Sequence, residues 1–244
     1  MKESKGVSRM WQLYKMGGVT PAIASMLGAQ NAQQMAFMRA VNRDLRKHSL
    51  LDTPFDELET VVFDLETTGF YPYNGDEIIS FGAVLLKGGE PVEGKTFYSL
   101  VHPKRKVPLH ITELTGITNA MAEDAPELAD VLHDFMDFCG KRLLIAHGSG
   151  HDKQFLNAAL WKTFKCNLTH RVLDTMMVAK WLQPGREAYG LDELLAEERI
   201  PITRRHHALE DCFMQARLWR TYLGRIRSRN IHTLGDLYAY LSQH

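Results

Sequence analysis

The chain has 244 residues, 45% of them hydrophobic, with 29 Lys/Arg matched by 29 Asp/Glu, so it can form one sizeable domain with extensions and its net charge selects no partner. Nothing in it suggests a membrane span. Its three cysteines, Cys139, Cys166 and Cys212, have no C-x-x-C spacing, which argues against a zinc ribbon or a disulfide framework and for a reducing, cytoplasmic location.

Residues 1–50 come first and differ from the rest. They carry eight Lys/Arg and two acids, a net +6 balanced by −6 over residues 51–244. Met35, Met38, Val41 and Leu45 recur at helical spacing, which predicts a helix from about Asn31 to His48. Its apolar stripe either packs on the chain's own body or docks a partner protein. "VTPAIASMLGA" is broken by Thr, Pro and Ser and makes a poor signal peptide.

From Leu51 the pattern changes. "TVVFDLE", "EIISFGAVLL" and "KTFYSLV" read as consecutive strands, "PELADVLHDFMDFC" as a helix with Pro126 in its first turn, and "RLLIAH" as a fourth strand. "DKQFLNAALWKTF", "LDELLAEE" and "ALEDCFMQARLWRTYL" read as helices, and "RVLDTMMVAKWL" as mixed. Such an order indicates a mixed α/β sheet flanked by helices, with ligands gathered at strand ends. Trp161, Trp181 and Trp219 are expected in the core, and His102, His110, His133 and His170 at the surface or as caps. The cluster Arg217, Arg220, Arg225, Arg227 and Arg229 reads as a solvated helix face or as a contact for acidic partners.

The chemistry begins in "TVVFDLETTGF". Asp64 and Glu66 lie two apart on a strand, so their carboxylates point the same way, and such a pair calls for a cation or open water beside it. Asp152 follows a Gly-Ser-Gly turn at a helix start, where a helix cap is the plainer role, and Asp211 shares a helix with apolar residues and could face solvent. Four acids on three strand or helix ends also suit a divalent-metal cluster. His147 and His151 are four apart, but the glycines between them are not helical, so zinc is not expected there.

These segments resemble the motifs of the DEDDh branch of the DnaQ-like 3′–5′ exonucleases. D-x-E-T-T-G is matched by Asp64 to Gly69, H-x4-D by His206 and Asp211, and the second motif appears as "AHGSGHD" ending at Asp152, with Gly148, Ser149 and His151 departing from the usual residues. "ELTGIT", Glu113 to Thr118, is similar to the family's substrate-side loop. The resemblance spans about residues 57–224. It implies a ribonuclease-H-like mixed five-stranded sheet flanked by helices, with a basic, mainly helical extension over 1–52, an exonuclease domain over 53–228 and a short helical segment over 229–244.

It also implies two divalent ions, Mg²⁺ or Mn²⁺, held by Asp64, Glu66, Asp152 and Asp211, with His206 as general base. Thr67, Phe70, Thr115 and His207 would contact the substrate, a DNA 3′ end or an RNA one, since phosphate-facing acids do not report a 2′-hydroxyl. The rival from another class is a weakly active subunit of a polymerase or repair complex that acts mainly by binding. Where "HHALED" offers a histidine both five and four residues before Asp211, the H-x4-D match favours His206 as the base.

Overall fold

The computed structural model describes residues 32–38, 40 and 50–242. Three strands, β1 (Glu59–Thr67), β2 (Ile78–Lys87) and β3 (Glu90–Leu100), form an antiparallel meander, and β4 (Leu143–Ala146) and β5 (Val172–Asp174) add in parallel beside β1, giving the order β3-β2-β1-β4-β5. This is the mixed five-stranded sheet expected.

Two short helices, α1 (Leu109–Thr115) and α2 (Asn119–Glu123), follow β3, then α3 (Leu128–Cys139); α4 (Gly150–Phe164) follows β4. After β5 come α5 (Thr175–Leu182), α6 (Leu191–Glu197), the long α7 (Ala208–Arg227) and α8 (Leu234–Leu241). Among the described residues no helix is long and apolar enough to cross a membrane.

The strand period of two builds a core on each face of the sheet. Val61, Phe63 and Leu65 point to one face, where Phe81, Leu85 and Leu144 join Phe135 of α3 and Phe155 of α4. Val62 points to the other, with Val84, Leu143 and Ile145 against Cys212, Trp219 and Tyr222 of α7. Asp64 and Glu66 continue the Val62 row and so fall on the α7 face. α7 reaches them because β2 carries Gly82 opposite Asp64. A Cβ at Gly82 would collide with the backbone of Ala208 and Leu209, so glycine there lets the start of α7 lie directly on the sheet.

Some expectations are resolved and others corrected. Residues 32–38 and 40, the described part of the expected N-terminal helix, are helical; Met38 is buried in the core of the α3/α4 face and the Gln34 amide donates to Asp130 at 2.9 Å, so this piece packs on the chain's own body. The remainder of that helix and residues 1–31 lie outside the described residues. Pro126 precedes the N-cap Glu127 and stands outside α3. Trp161 is 56% exposed, because it sits on the outer side of α4 beside Lys162, whereas Trp219 is in the core. His170 is buried, its Nε2 2.9 Å from the Gly140 carbonyl. In the arginine cluster Arg217, Arg220 and Arg229 are exposed, as a solvated face requires, while within the chain Arg220 pairs with Glu90, Arg225 with Glu198 and Arg227 with Asp56, and Arg229 lies over the Trp181 ring.

Candidate active site

β1 ends in a tightly pinned turn. The Thr67 hydroxyl donates to the Gly69 carbonyl at 2.7 Å, and the Thr68 hydroxyl donates to Asp76 at 3.2 Å while accepting from the Glu77 N–H. The Asp76 carboxylate fills the space where a Cβ on Gly69 would stand, which is why the turn takes glycine. Phe70 emerges from it 73% exposed, edge-on to the His151 ring at 5.8 Å. His151 Nε2 lies 3.3 Å from the Thr67 oxygen. That hydroxyl's proton is committed to Gly69, so His151 is the donor. The histidine standing in the usual second motif therefore ties α4 to the β1 turn.

The other departures in "AHGSGHD" also have a local role. Gly148 adopts a positive φ of 64°, and the N–H groups of Gly148 and Ser149 donate to Asp174 at 3.0 and 2.8 Å. This clamp sets the start of α4, whose first turn carries the buried Asp152. His147 is fixed by Thr175 at 2.9 Å and the Tyr189 carbonyl at 2.9 Å.

α7 brings the last acid. Its buried stripe runs Ala208, Asp211, Gln215, Leu218, Tyr222, Ile226, so Asp211 faces the sheet rather than solvent. Asp64, Glu66 and Asp211 each bring an oxygen within 4.8 Å of the others. Asp152 is not among these three, yet its charge acts on Asp64. Gln215 donates its amide to Asp64 at 3.1 Å, and the His206 N–H donates to Asp211 Oδ2 at 3.0 Å. Arg205 Nη1 lies 2.5 Å from Asp211 Oδ1 in a charge contact without hydrogen-bond alignment.

Burial, and then the neighbouring acids, hold the Asp64 carboxyl well above the usual range. Burial, then Asp211, pushes Glu66 up to about 8, and burial pushes Asp152 up to about 7. Asp211 is also raised by burial, against the pull of Arg205.

The two histidines before α7 part ways. Both precede the helix, which starts at Ala208, and His206 has a left-handed backbone, φ 58°. His206 borders both the acid cleft and the neighbouring groove; His207 borders only the groove. There His207 stacks on Tyr98 at 4.7 Å and 13°, and its ring nitrogen accepts the Glu210 N–H as the N-cap of α7. Thr115 lines the same groove, but its hydroxyl serves its own loop, donating to Ile111 and accepting from Ile117. It shapes the groove without a free polar group.

Arg205, Gln215, Asp174 and Gly82 were not singled out from the sequence. Gln215 had a signal, a polar residue one turn after Asp211 on the same apolar stripe, and Gly82 had another, a glycine inside an apolar strand.

Three clustered acids at the end of a mixed sheet, with Asp152 acting on them and a histidine at their rim, define a nuclease of ribonuclease-H-like fold. The family model for the RNase T exonuclease domain matches residues 61–219, and the chain belongs to that family. It is 35% identical over 198 residues to the DNA polymerase III subunit epsilon-like protein of Rhodobacter capsulatus, an alignment covering 80% of this chain and 28% of that protein. The chain thus spans about a quarter of that relative's length. Among solved structures it is similar to the nuclease domain of 3′hExo, a DEDDh family member, bound to rAMP, with TM-score 0.60 and 23% identity over 68% of this chain and 92% of that one. It is also similar to Exonuclease X in complex with 5′ overhanging duplex DNA, with TM-score 0.57, 23% identity and the same shares covered.

Proposed function

We propose that the chain is a metal-dependent 3′–5′ exonuclease that shortens single-stranded DNA from the 3′ end and releases nucleoside 5′-monophosphates. The observation that carries this is the convergence of Asp64, Glu66 and Asp211, with Asp152 close by, on a cleft bordered by His206. The acids fit divalent ions: their oxygens are too close, and their protons held too tightly, for all to ionise near neutral pH without a cation.

Two Mg²⁺ or Mn²⁺ ions held there would polarise the scissile phosphate and lower the pKa of water. Asp64, Glu66 and Asp211 would hold one, and Asp64 and Asp152 the other, all through hard oxygen ligands. His206 takes the proton of the attacking water, whose oxygen bonds to phosphorus as the bond to the 3′ oxygen of the preceding nucleotide breaks. Phe70 offers its exposed ring to the terminal base and the Thr67 backbone fixes that nucleotide, while the Tyr98–His207 stack walls the neighbouring groove. Nucleic acid is the partner in this reading, and the basic excess of residues 1–50 supports a second contact, with nucleic acid or a protein. An odd number of cysteines without C-x-x-C spacing fits a reducing cytoplasm.

The test is cleavage of 5′-labelled single-stranded DNA and RNA with Mg²⁺, Mn²⁺ or EDTA. A ladder of DNA shortened from the 3′ end, absent in EDTA, is expected. Faster loss of RNA would make it an exoribonuclease; binding without cleavage in either metal would make it a binding subunit.

A further inference from the structure

The turn before α7 places a cation inside the acid cleft. Among the described residues lining it, Arg205 is the one Lys or Arg. Its guanidinium is shared: Nη1 lies against Asp211 Oδ1 at 2.5 Å, and Nε donates to Asp192 in the first turn of α6. Asp211 is 4% exposed in its side chain and Asp192 is 54% exposed. The other Asp211 oxygen accepts the His206 N–H, so both oxygens already face donors or charge. A divalent ion approaching Asp211 meets a guanidinium where it needs a lone pair.

We propose that Arg205 is the built-in competitor of the divalent ion at Asp211, drawn off toward Asp192 when the ion binds, so that the Arg205–Asp192 pair sets the ion affinity. This rests on the acid cluster being a divalent-ion site. The geometry allows the exchange: the guanidinium carries five donors in a fork, and Nε remains on Asp192 while Nη1 leaves Asp211. The magnitudes allow it too. Arg205 keeps 23% of its side chain exposed, and partly solvated ion pairs are weak enough to be displaced by a dication, whereas a fully buried pair would block the site. In the ion-free cleft the same guanidinium opposes the upward push of burial on Asp64, Glu66 and Asp211.

A merely structural Arg205, bracing the turn against α6, predicts that loss of either partner loosens the site. Competition predicts opposite signs. Calorimetric titration of the ion-stripped full chain with Mn²⁺ alone, without nucleic acid, separates them. Arg205→Gln is expected to bind Mn²⁺ about fivefold more tightly, the worth of a partly solvated ion pair. Asp192→Asn is expected to bind it about as much more weakly, because Arg205 then has only Asp211 to hold. The double variant should match Arg205→Gln within about twofold, since Asp192 acts through the arginine.

Unchanged or weaker binding by Arg205→Gln overturns the inference, and so does an Asp192→Asn effect that persists without Arg205, which would be simple charge. Should Arg205→Gln not fold, undiminished affinity in Asp192→Asn, an exposed position, overturns it alone. A folded wild type that takes up no Mn²⁺ removes the divalent-ion site itself, and the inference with it.

Discussion

Asp64 is the acid on which three others act, Asp152, Glu66 and Asp211, while the neutral Gln215 amide donates to it. Removing one anion from such a group takes away both a proposed ligand and a source of repulsion. Asp64→Ala and Glu66→Ala are therefore expected to lose detectable hydrolysis while the ion-free protein melts at an unchanged or higher temperature; full activity in either would sink the assignment. The histidines divide differently. His206→Ala should lower turnover by roughly 10²–10⁴-fold with Mn²⁺ affinity kept, the usual worth of a general base. His207 caps α7 and stacks on Tyr98, so His207→Ala should raise the Michaelis constant and cost about 1 kcal/mol of stability, typical of a lost N-cap. Turnover, Michaelis constant and denaturant midpoint for both variants decide it, and a larger turnover loss at His207 would reverse the roles.

At the scale of elements, the site depends on α7 touching the sheet. Gly82 stands opposite Asp64, and any Cβ there meets the backbone of Ala208 and Leu209, which a rotamer change cannot relieve. Gly82→Ala should cost at least about 1–3 kcal/mol, the range for overpacking, and should push Asp211 away from Asp64 so that Mn²⁺ affinity falls with activity. Wild-type affinity in that variant would mean α7 docks by another route. The same elements explain what could be read beforehand. Strand alternation put Asp64 and Glu66 on one face because period two admits no other arrangement, and a mixed sheet followed from the order of strands and helices. Asp211 was legible only through its motif, since an acid in an amphipathic helix is compatible with solvent as well as with a buried stripe. Arg205 was not legible: its partners Asp192 and Asp211 come from two helices that only the fold brings together. Trp161 misled because its helix is apolar enough in sequence to suggest burial at a position that faces outward.

For the whole molecule, the consequence is a stability that depends on pH and, with the proposed ions, on what the acid cleft holds. Glu66 moves from 4.5 to about 8 and Asp152 from 3.8 to about 7, so between those values the folded, ion-free chain holds protons that the unfolded chain has released. Stability from these groups is fully present at acid pH and is lost as pH rises through about 7 and 8. His147, His151 and His170 act in the opposite sense: burial lowers their pKa, so the unfolded chain is the one that holds protons, and their contribution rises with pH until about 6.5. Above 6.5 the histidines fall silent and the acids remain. In EDTA the melting temperature should therefore decline between pH 6.5 and 8.5, and Glu66→Gln, which cannot ionise, should flatten that decline. In the proposed site divalent ions would bind the ionised acids and release their protons, so the melting-temperature gain from excess Mg²⁺ should widen across the same interval. Melts at half-unit pH steps, with and without Mg²⁺, check both halves. A decline in EDTA equally steep in Glu66→Gln would place the titrating groups elsewhere, and a constant Mg²⁺ gain would deny that the ion and these protons compete for the same oxygens.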